Sequence, residues 1–241
     1  MTPIEGVDAA RVHEIARLLA PHIRRTPSIA APAGGFLKLE SLQPTGSFKV
    51  RGFFAAAHVV DRERVARGLL TVSAGNAALA CAYVARALHV PCRVVMFDTA
   101  PALKVDGVRA LGAETVLLPR DRLFEWMATR AWERDPEVFI HPFADTAVIT
   151  GHASIVPEIL ADLPDVERVV GDWAVVPETT LRRTVARMAT ELKVVAEGAG
   201  ALGYAAMLDG RSTPRTVAIV SGGNLDGSRL GELLTEAASS R

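Results

Sequence analysis

Residues 69–97 read LLTVSAGNAALACAYVARALHVPCRVVMF. The stretch opens on an apolar run, LLTVSA, turns at Ser73-Ala74-Gly75-Asn76, continues as the helical pattern AALACAYVARAL and ends in a second apolar run, CRVVMF. Strand, helix and strand in that order are the parts of a β-α-β unit. Continuous apolar strands without polar alternation are expected of a parallel sheet covered on both faces.

The same alternation extends outward in both directions. Asp8 as cap, with Val12, Ile15, Leu18 and Leu19 along one face, predicts an opening helix, and FLKLE (36–40) predicts a strand. Downstream, PALKVDGVRALG (101–112) reads as a helix with Pro101 at its start and Gly112 at its end. ETVLLP (114–119) reads as a strand, DRLFEWMATRAWER (121–134) as a helix and VFIH (138–141) as a strand. TGHASIVPEILADL (150–163) then predicts a helix bent at Pro157, and VERVV (166–170) a further strand. The class is α/β, and in such sheets ligands sit beyond the carboxyl ends of the strands, where loops run into helix N-termini.

Composition narrows the function. The chain has 241 residues, 49% hydrophobic and 22% charged, enough for one large or two small domains. Lys plus Arg (27) balances Asp plus Glu (27), so no net field draws in nucleic acid or an anionic membrane, and a small-molecule substrate or a protein contact is expected instead. The two cysteines, Cys81 and Cys92, have neither metal-ligand spacing nor the density of a disulfide framework. The six histidines (13, 22, 58, 89, 141, 152) form no i, i+4 pair and no cluster with cysteine, so no metal site is expected. No apolar stretch reaches the roughly 18 residues of a membrane span, and the first residues lack a signal pattern, so a cytoplasmic protein is expected.

Three junctions and one lysine carry chemistry. At Ser73-Ala74-Gly75-Asn76 a strand gives way to a helix, so the segment reads equally as an anion site at a helix N-terminus or as a simple turn and cap. TVAIVSGGNLDG (216–227) ends another strand in Ser221-Gly222-Gly223-Asn224, either a backbone approach to a flat ligand or a tight loop. Glu197 precedes the small residues of EGAGALG (197–203), a pattern suited to close helix packing. In SLQPTGSFKVRGFF (41–54), Lys49 follows Ser47, a candidate helix cap, and sits among Phe48, Val50, Phe53 and Phe54. The helix dipole and apolar neighbours both disfavour its charged form, as an amine nucleophile requires, although an isolated lysine of this kind also reads as a snorkelling one. His152 has two readings as well, one lining a cleft and one closing a helix end.

SFKVRG, SAGN, EGAGA and SGGN, in this order on an α/β background, resemble the fold-type II pyridoxal-phosphate enzymes, in particular the threonine/serine dehydratase (ammonia-lyase) and serine racemase branch. LGAETVLLP and HPFADTAVITGHASIVPEIL resemble intervening segments of that family. The resemblance implies two lobes with parallel sheets, like the tryptophan synthase β-subunit: a smaller lobe over 53–146, and a larger lobe from 1–52 and 147–241, the larger one reduced. It implies pyridoxal 5'-phosphate as cofactor, with Lys49 holding it covalently and later moving the substrate α-proton. Asn76 would bond the cofactor's phenolic oxygen, and Ser221, followed by Gly222, would face the pyridine nitrogen. Ser73, Ala74, Gly75 and Asn76 would receive the substrate carboxylate. The activity implied is β-elimination of L-threonine or L-serine to a 2-oxo acid and ammonia, and a homodimer is usual among such relatives.

The sequence also departs from the family pattern. Ala77-Ala78 replace the histidine and glutamine region that usually follows SAGN, and Ala74 stands where racemases carry a second acid/base serine, so racemisation is not expected. After Val170 the chain continues as GDWAVVPETTLRRTVARMATEL, which resembles a segment well downstream, and the tetraglycine loop that cradles the cofactor phosphate has no counterpart. An internal deletion follows from this. The alternative reading is accordingly a non-catalytic remnant of the same fold that lacks the cofactor.

Overall fold

In the computed structural model, which describes residues 6–166 and 174–239, the opening β-α-β unit is built as β3 (Leu69–Val72), α4 (Asn76–Leu88) and β4 (Cys92–Phe97). Leu69 and Leu70 are both fully buried although they point to opposite faces, as expected of a sheet covered on two sides. The buried positions of α4 are filled largely by alanine (77, 78, 80, 82, 85), which lets the helix lie close to its neighbours.

The chain divides into two compact units, residues 1–23 with 49–155 and residues 24–48 with 156–241. The first unit holds a four-stranded, all-parallel sheet in the order β5-β4-β3-β6, where β5 is Glu114–Leu118 and β6 is Val138–Phe139. Around it lie α1 (Ala9–Leu19), α2 (Lys49–Val59), the short α3 (Arg62–Val65), α4, α5 (Ala102–Arg109), α6 (Arg120–Ala128) and α7 (Thr146–Ala153). Asp8 caps α1 by accepting from the Arg11 N–H, and Val12, Ile15 and Leu19 are its buried face. The division read from the sequence placed residues 1–52 with 147–241; α1 instead packs with α2 and α7, its Ile15 and Leu19 joining the core of Phe53, Phe54 and Val148.

The second unit holds a three-stranded sheet in which β2 (Phe36–Lys38) lies between β1 (Ser28–Ala30), antiparallel to it, and β7 (Val217–Ile219), parallel to it. Its helices include α9 (Glu178–Arg187), α10 (Gly198–Leu208) and α11 (Gly227–Ser239), packed on a core of Leu37, Met188, Tyr204 and Val220. Lys38 is fully buried here; its Nζ donates to the Thr26 carbonyl and to Glu158, each at 2.7 Å, so the charge is compensated.

Two helices differ from expectation. The 150–163 helix starts earlier, at Thr146, because Asp145 accepts from the N–H groups of Ala147 and Val148. It breaks at Ser154 rather than bending at Pro157, giving α7 and α8 (Ile155–Asp162). Pro157 has no N–H to give the carbonyl four residues back, at Ala153, and its ring would collide with it. The helix expected over 121–134 stops at Ala128, since Arg130 is left-handed (φ 49°), and a 3-10 turn over Ala131–Arg134 follows. Glu167–Val170 of the expected strand VERVV, and the jump after Val170, lie outside the described residues.

Candidate active site

Lys49 is the first residue of α2, so its amine stands at a helix N-terminus, where the dipole opposes a positive charge. Ser47 is not its cap: Ser47 is buried, its hydroxyl has no hydrogen-bond partner, and its backbone pairs with Gly222 instead. The half-buried Lys49 Nζ donates to the Pro142 carbonyl at 3.1 Å and lies 5.1 Å from the centroid of the Phe143 ring. Burial pulls its pKa below the ordinary lysine value, which raises the fraction of neutral amine.

Glycines and a buried cation position α2. A Cβ on Gly151 of α7 would lie 2.6 Å from the Arg51 carbonyl and 2.7 Å from the Gly52 Cα, so the two helices cross at backbone contact. Arg51 is fully buried and donates to the Ser154 hydroxyl at 3.2 Å. His152, in the last turn of α7, packs on Gly52, where a Cβ would meet its Nε2 at 2.5 Å. Burial first, and then the positive charge of Lys49, lowers the His152 pKa to about 3, so the ring is neutral near pH 7.

The Ser73–Asn76 segment lies at the carboxyl end of β3 and leads directly into α4; all four residues are half-buried. Ser73 donates its N–H to Val95, and its hydroxyl accepts from the Gly75 N–H at 3.1 Å, so the loop holds its own shape. Ser73 and Ala74 also border an apolar groove of about 250 Å³ whose other lining residues include Pro142 and Phe143. The Pro142 carbonyl that accepts from the Lys49 amine and the first two residues of the SAGN loop thus line one groove, within the first unit.

The other two motifs meet in the second unit. The Phe48 N–H donates to the Ser221 carbonyl at 3.0 Å, and the Glu197 N–H donates to the Gly222 carbonyl at 3.0 Å. A Cβ on Gly200 would lie 2.2 Å from that same carbonyl oxygen, and one on Gly223 would lie 2.6 Å from the Val195 carbonyl. The small residues of EGAGA let α10 approach the 221–223 turn at backbone distance. Asn224 donates to the Thr45 carbonyl at 2.8 Å, tying that turn to the segment just before Lys49.

The sequence model of the family described as "Pyridoxal-phosphate dependent enzyme" matches residues 19–173, more than half of the chain. The chain belongs to this family. L-threonine ammonia-lyase of Thermotoga maritima is 44% identical over 138 residues, 56% of this chain and 34% of that one. Beta-hydroxyaspartate dehydratase of Paracoccus denitrificans is 33% identical over 189 residues, 74% of this chain and 59% of that one. The chain therefore spans between a third and three fifths of the length of these relatives. Among solved structures, maize serine racemase superposes with a TM-score of 0.86 at 22% identity, covering 97% of this chain and 98% of that one, a likeness of fold. The reduced two-unit α/β architecture is that of the fold-type II branch of the family.

The cofactor of this pyridoxal-phosphate dependent family is an aldehyde, and the residues present fit that end of it: a partly desolvated amine at a helix start that donates to the Pro142 carbonyl. For the phosphate, the chain contains no run of more than two consecutive glycines. Among the described residues no group of three or more His, Cys, Asp or Glu is placed to hold a metal ion, and no helix is long and apolar enough to cross a membrane. Sequence reasoning missed the Pro142 carbonyl and the Phe143 ring. Their signal was Pro142-Phe143 directly after the strand VFIH, at the carboxyl end of a parallel sheet. His152, by contrast, packs between helices and does not line the groove.

Proposed function

We propose that the chain is a pyridoxal-phosphate-dependent ammonia-lyase that eliminates the β-hydroxyl of L-threonine or L-serine, giving a 2-oxo acid and ammonia. The observation that carries this reading is the partly desolvated Lys49 amine, held on the Pro142 carbonyl, which lines the same groove as Ser73 and Ala74 of the SAGN loop. The first unit corresponds in this reading to the smaller lobe and the second to the reduced larger lobe.

The bound cofactor would supply the electron sink for the substrate's α-carbon. Lys49 would hold it through Nζ and, once released, take the α-proton; burial lowers its pKa and so raises the fraction of neutral amine that can do so. Asn76 would orient the cofactor's phenolic oxygen. Ser73, Ala74, Gly75 and Asn76 would orient the substrate carboxylate, with Asn76 lending its side-chain amide and the start of α4 its dipole. Ser221, followed by Gly222, would offer the ring nitrogen a neutral hydroxyl rather than a carboxylate, which favours elimination over transamination. Ala74 provides no acid or base on the opposite face, which disfavours racemisation.

The test is direct. Mixed with pyridoxal phosphate, the protein is expected to develop a visible absorbance band that borohydride traps on Lys49, and to release ammonia from L-threonine. Lys49→Ala should abolish both, and turnover by that variant at the parental rate would overturn the assignment. The second reading, a non-catalytic protein of the same fold, is favoured by the absence of any run of three glycines. It predicts no band at saturating cofactor, or a band without turnover.

A further inference from the structure

We propose that the groove lined by Ser73, Ala74, Pro142 and Phe143 receives an apolar substituent on the substrate's β-carbon, so that among β-hydroxy-α-amino acids those bearing an aromatic or branched apolar group are turned over faster than threonine or serine. The inference rests on the reading of Lys49 given above and extends it to the substrate class.

The groove is lined mainly by apolar side chains. Its lining includes Ser73 and Ala74, Pro142, whose carbonyl holds the Lys49 amine, and Phe143, whose ring lies beneath that amine. Val72, Phe97 and, from α6, Leu123, Phe124 and Met127 line it too. None of its lining side chains is charged. Arg120 lies over the Phe124 ring, 5.5 Å from guanidinium carbon to ring centroid. The volume, about 250 Å³, exceeds the roughly 150 Å³ of an apolar cavity that takes up benzene. A threonine methyl would leave most of this space to water against apolar walls, whereas a phenyl or isobutyl group would displace that water. A carboxylate substituent would lose hydration there without an ionic partner among the lining side chains. Phe143, 74% exposed, and Phe124, 52% exposed, are large apolar side chains whose exposure such a substituent would reduce.

The experiment compares kcat/KM of the protein loaded with pyridoxal phosphate on L-threonine, L-threo-3-phenylserine and threo-3-hydroxyaspartate. In parallel, saturation-transfer NMR follows the ring protons of L-phenylalanine with the protein free of added cofactor. The expected results are a kcat/KM at least tenfold higher for phenylserine than for threonine, and magnetisation transfer to the phenyl ring. Met127→Trp, which fills the groove, should lower the phenylserine-to-threonine ratio at least tenfold and remove the transfer. Phe124→Ala, which removes an apolar lining ring, should lower the ratio without adding bulk. A parental ratio at or below one, a preference for hydroxyaspartate, or ratio and transfer unaltered by both variants would overturn the proposal. If no amino acid releases ammonia, the lyase reading fails by itself, and the phenyl transfer and its loss in Met127→Trp still decide the groove.

Discussion

Phe48 donates its backbone N–H to the carbonyl of Ser221 at 3.0 Å, so the residue immediately before the candidate nucleophile is pinned to the SGGN turn. Ser47 and Gly222 extend the pairing as an antiparallel bridge. Motifs more than 170 residues apart in the chain are thereby joined by backbone hydrogen bonds, which no side-chain substitution removes directly.

The turn should still be sensitive to volume. Gly200→Ala would put a Cβ 2.2 Å from the Gly222 oxygen, a clash with backbone that only a shift of α10 or of the turn can relieve. A loss of about 2 kcal/mol is expected in urea unfolding. Gly231→Ala in α11, where nothing lies within 4 Å of the added atom, should instead gain roughly 0.5–1 kcal/mol.

His152 should make the fold acid-sensitive. Its folded pKa, about 3, lies below its ordinary 6.5, so the unfolded chain takes up the proton first as pH falls. The stability contributed by the neutral ring is fully present above 6.5 and is lost progressively down to about 3. Its size, discounted for partial exposure, is roughly 2–3 kcal/mol between pH 6.5 and 4. His152→Gln does not titrate, so urea midpoints of the two proteins should differ in pH slope only within that window.

The buried Lys38–Glu158 pair predicts an asymmetry. Glu158→Gln leaves a fully buried ammonium with the Thr26 carbonyl but without its ion-pair carboxylate, and should cost about 3 kcal/mol in chemical unfolding. The double variant Lys38→Met with Glu158→Leu removes both charges and should recover most of that loss.

Cofactor affinity should depend little on the phosphate. A cradle of several N–H donors would favour the phosphorylated cofactor by a factor of hundreds or more, at about 1.5–3 kcal/mol per charged hydrogen bond. With no run of three glycines in the chain, dissociation constants of pyridoxal and pyridoxal phosphate, read from the visible band, should fall within about tenfold of each other.

The fold was legible wherever local pattern and tertiary packing agree. Leu69 and Leu70 of LLTV are apolar on opposite faces because both faces are covered, and Asp8 caps the helix it announces. Patterns failed where a single residue's hydrogen bond decides a boundary, as with Asp145 at the start of α7, or where two signals compete, as with Ser47, whose type suits a cap but whose backbone is drawn into pairing with Gly222. In the candidate site, Lys49 and the SAGN loop stood out by residue type. Pro142 did not, because it contributes a carbonyl, which every residue possesses and only the fold can aim.

The chain passes between its two units after Ile23, after Phe48 and after Ile155, and β2 pairs with a strand that follows the whole 49–155 block. During synthesis, β2 leaves the ribosome long before β7 exists, and Phe36–Lys38 then has only the antiparallel β1 to pair with. The first unit can close on the nascent chain, whereas the second must hold an open sheet edge until residues 217–219 emerge. The β2 edge of a newly made chain is therefore open while residues 39–216 are synthesised, and a chaperone that shields strand edges would raise the yield of folded protein chiefly through the second unit.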